Sequence, residues 1–109
     1  MSSNKKKVRQ VFRDAVFKRD GYKCVCCGKK ASPSSPEDIL DAHHITNRND
    51  LPNGGYVLEN GISLCKDLCH LLAEEELQGI EHPGFSKEEL YKKVGSCFEK
   101  ALEASSRLK

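Results

Sequence analysis

The chain has 109 residues, 38% of them hydrophobic and 31% charged, with no Trp and a formal net charge of +2 at neutral pH. No run of about 18 apolar residues occurs, so no helical membrane span is expected, and the polar, basic opening Met1–Lys7 does not read as a secretory leader. A chain this short reads as one domain, residues 1–109, whose limited core calls for a cross-link or a partner.

Charge is unevenly distributed. The first 30 residues carry ten Lys/Arg against two Asp, and the rest carries eight Lys/Arg against fourteen Asp/Glu. Residues 1–4 are expected to be disordered. From 6 to 19, Val8, Val11, Phe12, Ala15 and Val16 follow the stripe of an amphipathic helix. Its polar face bears Arg9, Arg13, Lys18 and Arg19, and Gly21 is a natural stop. Cys24 and Cys27 then form a C-x-x-C followed by Gly28, similar to a zinc knuckle. A Ser/Pro-rich loop follows over 31–38. Ile39–Ile45 reads as a strand, Thr46–Gly55 as a loop, and Tyr56–Leu58 and Ile62–Leu64 as two short strands. A helix is expected over 66–77. Ser86 and Glu89 have the spacing of a capping box, which opens a last helix over 86–105 with Leu90, Val94, Cys97, Phe98, Ala101 and Leu102 on its apolar side.

The six cysteines are expected in a reducing cytoplasm, where they bind metal more often than they form disulfides. Cys24, Cys27, Cys65 and Cys69 offer the four thiolates of a closed structural zinc site. Cys26 lies between the first two and is an alternative ligand; the second pair is spaced C-x-x-x-C. Cys97 reads as a buried thiol. Such a zinc would tie the basic N-terminal half to the segment around His70. Basic charge beside a metal site suggests a phosphate polymer as partner.

Three further features lie between the cysteine pairs and just beyond them: His43-His44-Ile45, Asn60 within Glu-Asn-Gly-Ile-Ser-Leu-Cys, and Cys69-His70. Together with the C-x-x-C they resemble the His-Asn-His (HNH) endonuclease family, in its zinc-containing four-cysteine branch. The resemblance runs from about Arg13 to Glu76. It implies an α+β fold: a small ββα-metal core (22–77) with a structural zinc knuckle, flanked by an N-terminal and a C-terminal helix. It also implies a phosphodiester hydrolase acting on DNA, with His44 as general base and one divalent cation held by His43 and His70. Adjacent strand residues point to opposite faces, so the two histidines cannot do the same job. Glu74, one helical turn after His70, is a further candidate ligand. Asn60 is carried over as a brace that orients His44, and Asp41 reads as structural. Arg9, Arg13, Lys18, Arg19 and Arg48 are candidate phosphate contacts, which position a protein on DNA without reading its sequence.

The implied cofactors are structural zinc and a catalytic magnesium or manganese, with other transition metals tolerated because imidazole ligands accept them. The implied partner is the DNA backbone, entered through the minor groove, with a dimer or partner protein as a source of specificity. A small nuclease of this kind resembles phage or mobile-element proteins, which places it in the cytoplasm, the host's if phage-encoded. Two other readings use the same cysteines. One is a non-catalytic, zinc-stabilised nucleic-acid-binding module; the other is a zinc-bridged protein-interaction domain. Neither needs the set His43, His44, Asn60 and His70.

Overall fold

Two short strands, β1 (Leu40–His44) and β2 (Gly61–Cys65), pair antiparallel from Leu40 opposite Cys65 to His44 opposite Gly61. The computed structural model describes residues 2–108, with side chains from residue 6 onward. Side chains alternate across the hairpin. One face presents Asp41, His43, Ile62 and Leu64; the other presents Leu40, Ala42, His44, Ser63 and Cys65. The helix α1 (Ser2–Arg19) lies on the second face and α2 (Cys69–Leu77) on the first. The chain is thus α+β, with four α-helices and one two-stranded sheet among the described residues.

The helix α1 extends further toward the N-terminus than the stripe suggests; the expectation of disorder over 1–4 concerns Met1, outside the described residues, and positions whose side chains are not described. Its buried side chains are Phe12, Val16 and Phe17, while Val11 is 60% exposed. Close approach of this helix to the hairpin explains Gly61. A Cβ there would lie 2.3 Å from Val16 Cγ2 and 2.9 Å from Phe12, so only glycine fits under the helix. After α1, Gly21 and Tyr22 take positive φ and turn the chain into the knuckle. There the Gly28 amide donates to the Cys24 carbonyl and the Cys24 amide to that of Lys29. Val25 N–H donates to Ser63 O, fastening the knuckle to the outer side of β2.

The long β1–β2 connection differs from expectation. Tyr56–Leu58 forms no strand; 3-10 turns at Arg48–Asp50, Pro52–Gly55 and Leu58–Asn60 fill the loop. Its closure depends on Asn60, which is fully buried. Asn60 Oδ1 accepts from Thr46 N–H (2.9 Å) and from the Tyr91 hydroxyl (2.8 Å), and Nδ2 donates to the carbonyls of Thr46 (3.1 Å) and Gly55 (3.2 Å). The bonding capacity of its side chain is satisfied by the loop and by Tyr91 of the C-terminal segment.

The expected C-terminal helix is two helices, α3 (Lys87–Lys93) and α4 (Phe98–Arg107). Gly95 at φ +70° breaks it, and the amides of Gly95 and Ser96 close the end of α3 onto Lys92 and Tyr91 carbonyls. The capping box at Ser86 and Glu89 is present as expected. Cys97 caps α4 rather than lying on its face and is only partly buried, and Phe98 and Leu102 remain about 40% exposed. Leu90, Tyr91, Ala101 and Ser105 are the residues these helices bury.

Candidate metal centres

The four cysteines Cys24, Cys27, Cys65 and Cys69 converge, with their sulfurs all within 4.8 Å of one another. A tetrahedron of Zn–S bonds of about 2.3 Å has edges of about 3.8 Å, and Cys27 Sγ lies 3.7 Å from Cys65 Sγ. The amides of Cys27 and Cys69 point at the sulfurs of Cys24 (3.5 Å) and Cys65 (3.3 Å), as suits thiolate acceptors. Burial works against ionising Cys24, but backbone N–H groups of Cys27, Cys65 and Cys26 draw its pKa below the usual value. Burial and the neighbouring sulfurs push Cys69 the other way. Four thiolates cannot share so small a volume without a cation, and the donor set fits zinc. Cys26 is outside the cluster. Burial, reinforced by the charge of Cys24, raises its thiol to about 11. The longer spacing between Cys65 and Cys69 is accommodated because Cys69 begins α2 after the turn at Lys66–Leu68.

Across the hairpin from the knuckle, His43, His70 and Glu74 form a second cluster, again with ligand atoms within 4.8 Å of one another. His43 Nδ1 is 3.2 Å from Glu74 Oε2, and His70 Nε2 is 3.7 Å from the same oxygen. His43 is 2% exposed, and its Nε2 has no hydrogen-bond partner. Burial first, then the charges of His70 and His44, lower its pKa to about 3. The imidazole is therefore neutral, its contact with Glu74 is not an ion pair, and a lone pair is free for a cation. Two imidazoles and a carboxylate suit a divalent transition ion and leave room for water ligands. His70 Nδ1 is 2.7 Å from Asp41 Oδ2, and Asp41 Oδ1 accepts from Lys66 Nζ at 2.6 Å. Burial alone would raise the Asp41 carboxyl, but the hydrogen bonds from Lys66 and His70 outweigh it and hold it below its usual range.

His44 faces the opposite side. Its ring stacks on Phe12 at 4.6 Å between centroids and meets the edge of Tyr56 at 4.7 Å, and its Nε2 is buried without a partner. Burial, then the positive charge of Arg48, lowers its pKa to about 4, well below the unperturbed value near 6.5. It is a neutral imidazole at physiological pH, able to accept a proton. The Tyr56 hydroxyl beside it accepts from Arg48 (3.0 Å) and Arg9 (3.3 Å), which lowers the phenol against the opposing effect of burial. Arg9 and Arg48 thus converge near His44 although 39 positions separate them in the sequence. Arg13 and Lys18 lie exposed on α1. The Arg19 guanidinium is engaged within the fold: it pairs with Asp20 at 2.7 Å and donates to the Leu58 and Gly61 carbonyls. Asn60 contacts neither cluster through a hydrogen bond; its side-chain bonds are to Thr46, Gly55 and Tyr91. Sequence reasoning overlooked Tyr56 and Tyr91. Tyr56 reads as a strand residue, and nothing in the spacing of Tyr91 shows that α3 folds back onto Asn60.

A hairpin and a helix that share a His-His-carboxylate cluster, with a four-cysteine knuckle on the far face, define a zinc-knuckle ββα-metal fold. Residues 24–76 match the family model described as HNH endonuclease. Over this segment the chain is similar to the HNH family, and the match suggests its nuclease-type fold. No curated protein and no solved structure gives a significant match. No helix among the described residues is long and apolar enough to cross a membrane.

Proposed function

We propose that this chain is a metal-dependent DNA endonuclease. The observation that carries the reading is the division of two adjacent histidines between two environments. His43 joins His70 and Glu74 in a ligand cluster, while His44 is a separate neutral imidazole beside Arg9 and Arg48. In this reading His43, His70 and Glu74 hold one divalent cation, magnesium or manganese, whose chemistry is to stabilise charge developing on the phosphate and on the departing 3′-oxygen. Arg9 and Arg48 receive the phosphodiester beside His44. His44 takes a proton from water, and the resulting hydroxide attacks phosphorus in line with the 3′-oxygen. Asn60 holds the loop that follows the strand, fixing where His44 ends. Arg13 and Lys18 extend the contact along the DNA backbone, whereas Arg19 serves the fold. Zinc at the four cysteines ties the knuckle to α2 and plays no chemical part.

A second reading, a non-catalytic nucleic-acid-binding module, is favoured by one observation: Phe12 covers His44 and leaves its Nε2 buried. Nicking of supercoiled plasmid, with magnesium or manganese added, separates the two. The nuclease reading expects relaxation of the plasmid by the wild type and none by His44→Ala of equal zinc content. Retained DNA binding with no relaxation by either protein supports the binding module.

A further inference from the structure

We propose that Asp41, oriented by Lys66, is a positioning residue that selects the tautomer of His70 and so decides which of its nitrogens can meet a cation. The inference rests on the reading of His43, His70 and Glu74 as a cation site, but not on nuclease activity. A neutral imidazole has one N–H and one lone pair. At His70, Nδ1 is 2.7 Å from Asp41 Oδ2, and Nε2 faces Glu74 at 3.7 Å. An ionised carboxylate only accepts, so it holds the proton on Nδ1 and leaves the Nε2 lone pair toward Glu74 and His43. Asp41 lies on the same strand face as His43, two residues away, so one strand supplies both a ligand and the group that orients the other ligand.

Lys66 makes the arrangement directional. Its ammonium is donor-only and lies 2.6 Å from Asp41 Oδ1. This has a consequence for Asp41→Asn. The amide oxygen must turn to Lys66, which leaves the amide NH2 facing His70 Nδ1. His70 then has to accept at Nδ1, which moves its proton to Nε2 and occupies the ligating nitrogen. Removing Lys66 as well frees the amide to rotate and restores an acceptor to His70.

The test is Mn2+ affinity, read from the electron paramagnetic resonance of free Mn2+, in protein with the four-cysteine site loaded with zinc. Zinc content and far-UV circular dichroism confirm the fold of each variant. Asp41→Asn is expected to bind Mn2+ about 10- to 100-fold more weakly, the usual effect of losing such a partner. Lys66→Met should stay within a few-fold of the wild type, and the double variant should regain part of the loss. Should Asp41→Asn not fold, the wild type still decides: 15N chemical shifts of His70 must show the proton on Nδ1. Equal affinity of wild type and Asp41→Asn, no recovery in the double variant, or a proton on Nε2 in the wild type overturns the proposal and leaves the cation site standing. A wild type that binds no Mn2+ overturns both.

Discussion

Replacing Asn60 with Ala should unfold the β1–β2 connection before it affects chemistry. The side chain is fully buried and makes four hydrogen bonds, to Thr46 N–H and O, Gly55 O and the Tyr91 hydroxyl. Each buried bond is worth about 1 kcal/mol net, and a donor or acceptor left unpaired costs about 1–3 kcal/mol. Several are orphaned together, but water entering the loop relieves some of them, so the expected loss is about 3–5 kcal/mol. That is a large share of the roughly 5–15 kcal/mol a domain of this size possesses. Urea denaturation at fixed free zinc, followed by circular dichroism, measures it. At temperatures where the variant is still folded, cleavage should track the folded fraction. A destabilisation below about 1 kcal/mol would refute the role of the clamp.

Gly61→Ala should cost about 1–3 kcal/mol by overpacking, since the new Cβ meets Val16 at 2.3 Å. Gly61→Ala with Val16→Ala should recover part of it in the same denaturation assay, and a neutral single variant would show that α1 yields freely. Tyr91 predicts a pH effect. Burial raises its phenol above the usual value near 10, against the hydrogen bond with Thr46. The neutral form is the one the fold holds, so its stabilisation is complete below about pH 10 and is lost as pH rises through the raised value. Tyr91→Phe should therefore be less stable at pH 8 and lose less on going to pH 11. A strong zinc chelator, or Cys24→Ser, should unfold the knuckle and detach it from β2, because structural zinc contributes on the order of 10 kcal/mol of binding free energy. Protein that keeps its circular dichroism and its resistance to proteolysis without zinc would contradict this.

The residues that cluster were more legible in the sequence than the connections between elements. Paired cysteines declare themselves by spacing, because a tetrahedral site needs two thiolates from each of two turns. Adjacent histidines on a strand carry an unavoidable two-face geometry. What escaped notice depends on tertiary partners. Gly95 sits inside an apolar stripe that reads as one helix, and only its positive φ and the capped end of α3 show the break. Tyr56 has the composition of a strand residue, yet Pro52, Gly54 and Gly55 turn the loop, and its ring comes to rest against His44. Arg19 reads as one more phosphate contact on a basic helix, and its bonds to the Leu58 and Gly61 carbonyls appear only once α1 lies on the hairpin. Asp41 reads as structural from its position alone; its link to His70 spans 29 positions.

The central claim is tested most directly by single-turnover cleavage of an end-labelled DNA duplex, with analysis of the new termini. Attack on phosphorus with loss of the 3′-oxygen leaves 5′-phosphate and 3′-hydroxyl ends. The nuclease reading predicts such ends only when magnesium or manganese is added, and none from His44→Ala or His43→Ala that are folded and zinc-loaded. Equal cleavage by wild type and His44→Ala, or cleavage without an added cation, would contradict it.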